Sequence, residues 1–424
     1  MLASIQRNIK DYGDHLAAFR PNARLYLIYA IISGIAMGIY RLLFNFYILS
    51  LGYDEKVLGN LVTVSSVTAL LFALPMGYLA DILGRKTSLL ISAVAISISV
   101  GMLVIWPSSA VLYAMNILLG IAQSLAGVTM SPFLMENSSE HERTYLFSMT
   151  SGLQMVSASV GSWIGGYLPT WVAGRVNVDP VSSQAYAGSL LVVAVALAVG
   201  IIPLLLIRIP RAEHADKTVF APISFAAKNP KKLTKLILPM LLTSIGAGLI
   251  MPFMNVFFRV QYQQSDQVIG VLFAWGSLAM GLGLLAAPPL ADRYGKINIV
   301  VITQGLSIPF LILLGFSPLF WISAVAYYIR VALMNMSGPV YQTFVMEQVD
   351  SSSRAMVASL VSMSWNFGWA ISPTISGMLQ VRYGFGPSFL GTIILYIISV
   401  FLYWFFWLRK GEPKSTAAPL VINP

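Results

Sequence analysis

Arg41, in the stretch SGIAMGIYRLLFNFY, and Arg330, in AVAYYIRVALMN, stand deep inside long apolar runs. A guanidinium is always charged and presents its donors in a planar fork that suits a carboxylate or a phosphate. Counted from the nearest expected helix ends, the two lie about nine and twelve residues deep, or roughly 13 and 18 Å at 1.5 Å per residue. That is too deep for easy snorkelling. Even on a lenient scale a central arginine costs about 2.5 to 3.5 kcal/mol, so it must face protein, water or cargo. All sixteen acidic residues fall in loops, termini or motifs at the edges of apolar runs, so no buried carboxylate is on offer. The remaining partners are water, backbone carbonyls, tyrosine faces such as Tyr40 or Tyr327, or an anionic substrate; a structural role stands beside a substrate or coupling role for each arginine.

Amides and small residues accompany them at helical spacing. Gly34, Gly38, Arg41 and Asn45 form one stripe, Asn116, Gly120, Gln123 and Gly127 a second, and Ser244, Gly248, Met251 and Asn255 a third. Close helix packing with occasional interhelical hydrogen bonds would also produce such stripes.

The elements that must position these residues follow from composition. With 424 residues, 57% hydrophobic and 10% charged, and a mean hydropathy of +0.77, the chain lies outside the range of water-soluble domains. Twelve apolar runs are long enough to span a bilayer, at 24–50, 56–80, 87–106, 109–135, 144–170, 186–208, 234–258, 267–291, 297–316, 318–346, 355–380 and 386–408. Pro309 and Pro318 blur the ninth and tenth, where a single re-entrant segment is the alternative. Twenty of the 26 lysines and arginines fall in the N-terminal segment, alternate loops and the tail, against Lys56, Arg175, Arg259 and Arg382 in the opposite loops. By the positive-inside rule both termini are cytoplasmic. The net charge of +10 is therefore a topology signal; nucleic-acid binding is not expected, because the basic residues are scattered without an aromatic platform. The first 23 residues lack the apolar core of a signal peptide. The absence of cysteine excludes disulfides and thiolate metal sites, and the common hydrolase and dinucleotide-binding motifs are missing, so neither an enzyme, a metal site nor a cofactor is expected.

The chain is also a tandem duplication. Asp81 and Asp292, Gly84 and Gly295, Glu136 and Glu347, Arg143 and Arg354, Ser148 and Ser359, and Gly166 and Gly377 are each 211 residues apart. The expected organisation is a segment 1–23, a six-helix half 24–208, a linker 209–233 punctuated by prolines, a second half 234–408 and a tail 409–424, with segment, linker and tail cytoplasmic.

Two parallel six-helix halves and the motif G-x-L-A-D-x-x-G-R-K, met by Gly77, Leu79, Ala80, Asp81, Gly84, Arg85 and Lys86, resemble the major facilitator superfamily of transporters. The second copy, PPLADRYGKI, keeps Leu290, Ala291, Asp292 and Gly295 but has Pro288 for the first glycine and Gly295-Lys296 where Gly-Arg-Lys would stand. The resemblance implies an all-α membrane protein of twelve transmembrane helices working by alternating access. It implies a cytoplasmic latch of Gly77, Asp81, Gly84, Arg85, Lys86, Glu136 and Arg143, repeated as Asp292, Arg293, Gly295, Glu347 and Arg354. It also implies that the first, fourth, seventh and tenth helices line the path. On that basis the expected cargo is a small organic anion held by Arg41 and Arg330, with Asn45, Gln123, Asn255 and Asn366 as hydrogen-bond partners and Trp275, Trp365 and Trp369 as apolar walls. Lacking an acidic or histidine side chain within the spans, the carrier is expected to work by uniport or exchange, or to titrate at the latch. The expected setting is a monomer in the lipid bilayer of the plasma membrane, a prokaryotic inner membrane. Drug or lipid efflux is the competing reading, suggested by GSWIGG at 161–166, and a non-transporting membrane sensor is a third.

Overall fold

The computed structural model describes residues 19–208, 230–349 and 354–409, apart from the side chains of residues 140–145, 354–356, 358 and 359. The expected linker and tail therefore lie almost wholly outside the described residues. Twelve helical spans account for nearly everything described. Spans 1 to 6 are Pro21–Ser50, Glu55–Leu83, Arg85–Ile105, Ser109–Glu136, Glu140–Val176 and Ser183–Leu206. Span 7 is broken: Pro230–Ile250 meets a single 3-10 turn, Met251–Phe253, before continuing as Met254–Tyr262. Spans 8 to 12 are Asp266–Tyr294, Lys296–Phe316, Phe320–Glu347, Arg354–Tyr383 and Gly386–Tyr403, the last prolonged by a π turn, Trp404–Leu408. Spans 9 and 10 are separate helices, which removes the re-entrant alternative.

Helix starts follow local chemistry. Asp54, Ser108, Ser182 and Ser265 precede spans 2, 4, 6 and 8, and each side-chain oxygen accepts the backbone N–H three residues on. These caps mark one face of the bundle, called here the far face. The face where span 1 begins and span 12 ends is the terminal face.

By length and apolarity alone, nine spans among the described residues could cross a membrane. Spans 5, 10 and 11 are as long, at 37, 28 and 30 residues, but carry many serine, glycine, asparagine and aromatic residues. Spans 5 and 11 pack across to the other half, on spans 8 and 2. Small residues there let backbones approach closely.

The repeat of 211 residues appears in these contacts. A Cβ on Gly59 of span 2 would collide with the Pro373 carbonyl of span 11, and a Cβ on Gly270 of span 8 would lie 2.7 Å from the Ser162 carbonyl of span 5. One helical turn away, Gly377 meets the Glu55 carbonyl and Gly166 that of Asp266. The same two backbone contacts are thus made twice, once on each side of the path.

A sign change tests this packing. In an open helical position glycine to alanine stabilises by about 0.5 to 1 kcal/mol, as expected for Gly127→Ala, where an added Cβ meets nothing within 4 Å. Gly59→Ala and Gly270→Ala should instead destabilise by about 1 to 3 kcal/mol, because the halves must part to admit the methyl. Tryptophan-fluorescence melts of the purified protein measure both.

Candidate functional site

Arg41 projects into a cavity of about 190 Å³ lined by Tyr29, Ser33, Met37 and Arg41 of span 1, Ala93 and Ile96 of span 3, Gln123 of span 4 and Leu197 of span 6. Arg41 and Gln123 are both exposed to it. Among the described residues Arg41 has no hydrogen-bond or ion-pair partner. A cation in this setting offers all its donors to whatever enters.

Arg330 is held differently. It is 2% exposed, and its two terminal nitrogens donate to the Tyr396 hydroxyl at 3.2 Å and to the Met251 sulfur at 3.3 Å. Its guanidinium carbon lies 5.7 Å from the centre of the Tyr396 ring, while Nε has no partner. The aromatic support comes from Tyr396 of span 12; Tyr327 stacks on Phe273 instead, and Tyr40 on Phe44. Arg330 is therefore caged in the second half and does not line the cavity that Arg41 enters.

Asn45 and Asn255 bind each other instead of facing that cavity. Asn45 Nδ2 donates to Asn255 Oδ1 at 2.7 Å and to the Pro252 carbonyl at 2.6 Å, and Asn255 Nδ2 donates to the Leu42 carbonyl at 2.7 Å. The reason is the break in span 7. Pro252 supplies no N–H, so backbone carbonyls at the turn need outside donors, and Ser376 of span 11 serves the Leu249 carbonyl in the same way.

Beyond this pair lies a cluster that the charge pattern did not reveal. Arg259 pairs with Asp266, whose exposure is only 6%. Tyr186 of the first half enters the pair, donating to Asp266 Oδ2 at 2.8 Å and accepting from Arg259 Nη2 at 2.7 Å. Phe46, also of the first half, covers the guanidinium with its ring centre 3.4 Å away. The expectation that no buried carboxylate is on offer is corrected here: Asp266 stands at the edge, where span 8 opens, but the other half covers it.

Of the tryptophans, Trp275 is not an apolar wall of the path. Span 8 uses Gly270 and Ala274 towards span 5 and Gly276 and Gly283 towards span 10, which leaves Trp275, 60% exposed, on an outer stripe with Leu278, Leu282 and Leu285. On span 11, Gly368 and Ser372 meet span 7 and Pro373 and Gly377 meet span 2. Trp369 falls between these two contact lines with its indole N–H buried and unpartnered, and Asn366 is exposed one turn away. Trp365 gives its carbonyl to Ser244 of span 7.

At the terminal face Arg85 donates to Asp81 at 2.7 Å and to Glu136 at 3.1 Å, and Lys86 reaches the Leu205 carbonyl at 2.8 Å. In the second half Lys296 pairs with Glu347. Lys296 stands 211 residues after Arg85 and Glu347 211 after Glu136, so the lysine takes the arginine's place. Gly84 and Gly295 turn the chain with φ of +82° and +88°, which favours glycine. Gly77 meets open space, and Arg293 lies over Tyr294. The side chains of Arg143 and Arg354 lie outside the described residues.

Two halves, repeated backbone contacts and a repeated loop motif make one comparison decisive: the model of the Major Facilitator Superfamily matches residues 26–244 and 236–420. The chain belongs to this superfamily. It is a multi-pass membrane transporter of that type. Among relatives within the superfamily, YxaM of Bacillus subtilis (strain 168), an uncharacterized MFS-type transporter, is 21% identical over 89% of this chain and 94% of its own. The multidrug resistance protein MdtG of Dickeya zeae (strain Ech586) is 24% identical over 90% and 93%. In fold, the chain superposes on a mutant form of the nucleoside transporter NupG with a TM-score of 0.76 at 15% identity, covering 90% of this chain and 98% of that one.

The far-face cluster yields a prediction for this superfamily member. Tyr186→Phe removes one bridging hydroxyl, whereas Asp266→Asn leaves Arg259 without its charge partner, a loss of about 3 to 5 kcal/mol for a buried pair. Because the wild type has no cysteine, a single Gln123→Cys reports opening. A membrane-impermeant thiol reagent applied at the far face should label it faster in both variants, and faster in Asp266→Asn.

Proposed function

We propose that the protein carries a small organic anion across the plasma membrane by alternating access, as a monomer with both termini cytoplasmic, by uniport or exchange. The observation that carries the reading is Arg41, an unpaired cation in a cavity with Gln123 beside it. An anion entering from the cytoplasmic face would neutralise Arg41 and accept from Gln123. The halves would then rock about their backbone contacts, with the Tyr186–Arg259–Asp266 cluster giving way on the outside, while the Arg85–Glu136 and Lys296–Glu347 pairs each brace one half at the terminal face. Arg330 serves in this scheme as a positioning residue that holds Met251, at the break of span 7, against span 12.

Removing a charge contact with substrate costs about 1.5 to 3 kcal/mol, roughly tenfold to a hundredfold in affinity. In proteoliposomes Arg41→Gln should lose anion transport by that factor while folding normally, and Arg41→Lys should recover part of it. Arg330→Gln should chiefly lower thermal stability. Unchanged anion transport in Arg41→Gln would remove the basis of the proposal.

Drug efflux is the second reading, favoured by the name of the MdtG relative and by GSWIGG at 161–166. It predicts that transport of neutral or cationic compounds survives or improves in Arg41→Gln. Sidedness is tested separately: cysteines introduced at positions 220 and 412 should react only with reagent supplied from the cytoplasm.

A further inference from the structure

The cavity at Arg41 sets one cation and one amide among apolar walls. Tyr29, Ser33, Met37 and Arg41 recur every four residues, so they line one face of span 1 over twelve residues, roughly 18 Å. Arg41 and Gln123 supply a cation and an amide. Met37, Ala93, Ile96 and Leu197, contributed by three spans of the same half, supply the apolar walls, and Tyr29 and Ser33 complete the lining towards the start of span 1. Arg41 is the one charged side chain among the eight that line it. A second carboxylate driven into this groove would meet apolar walls and no cation.

We propose that the cargo is a monoanion bearing one short apolar chain. Its carboxylate meets Arg41 and Gln123, and its chain lies between spans 1, 3 and 6 against Met37, Ala93, Ile96 and Leu197. This rests on the reading of Arg41 as the anion contact and adds the nature of the rest of the molecule. A groove inside one half would let the cargo travel with that half while the other moves past it.

Each methylene moved from water into apolar surroundings is worth about fourfold in affinity. Binding is measured by isothermal titration calorimetry on the purified full chain in phosphatidylcholine nanodiscs, with empty discs subtracted. From butyrate to hexanoate the affinity should rise about fifteenfold, and octanoate should bind at least about tenfold more tightly than suberate, the dicarboxylate of equal length. Ile96→Trp fills the groove and Met37→Ser makes one wall polar; each should shrink the octanoate-to-butyrate ratio by about tenfold, and the second keeps the test alive if the first fails to fold. A flat chain-length series in the wild type, or a gain per methylene that persists in both variants, overturns the proposal while leaving Arg41 as an anion site. If Arg41→Gln binds the whole series as the wild type does, the anion reading itself falls. Adding phosphatidylglycerol to the discs should leave octanoate affinity unchanged. Competition by that lipid would assign the groove to bilayer lipid and overturn the proposal as stated.

Discussion

Hydrocarbon offers no hydrogen bonds, and the arrangement of this protein follows from that one constraint. Every backbone polar group has to be satisfied inside the protein, which leaves helices as the available element and makes any interruption costly. Span 7 is interrupted, and two side chains serve the break, Asn45 donating to the Pro252 carbonyl and Ser376 to that of Leu249, while Asn255 ties the stretch beyond it to the Leu42 carbonyl of span 1. The break is tolerated only while spans 1 and 11 stand against it. Its integrity therefore depends on how the halves are packed, and a motion of one half is felt at the turn.

Charge obeys the same rule with two outcomes. Arg330 gives its terminal nitrogens to neutral groups, a tyrosine hydroxyl and a thioether, and disappears into the second half. Arg41 keeps its donors free and faces a cavity. The arginines are not copies of each other, since their repeat counterparts are Met251 and Leu119, whereas the scaffold is repeated: the contacts of Gly59 with Pro373 and of Gly270 with Ser162 are equivalent. Backbone against backbone leaves little room for substitution.

The far-face cluster joins these themes. Arg259 and Asp266 both belong to the second half and neutralise each other, so the pair survives separation of the halves. What separation removes is the cover, Phe46 and the Tyr186 hydroxyl. Closing then gains a desolvated, hydrogen-bonded cluster, and opening regains hydration of the ion pair, two large terms of opposite sign. Such a balance lets a bound ligand of modest affinity tip the equilibrium.

Twelve spans, the duplication and the loop motif were legible in the sequence because each is a property of residue order: apolar length, a fixed offset of 211 and a turn that needs glycine at Gly84 and Gly295. The two arginines inside the spans were legible for the same reason, as charges in long apolar runs. Their different fates were not. Whether a guanidinium meets a cavity or a tyrosine depends on which spans stand beside it, and Tyr396 lies 66 residues from Arg330. Trp275 could be read as path-lining from its aromatic character, yet the rotation of span 8, set by its glycines against spans 5 and 10, turns it outwards. Asp266 sits at a helix start, an ordinary place for a carboxylate in sequence, and becomes buried only because Tyr186, 80 residues earlier, is brought over it. Local order determined the elements and their repetition. Tertiary packing decided which polar groups satisfy one another and which stay free, because that depends on distances between segments remote in the chain.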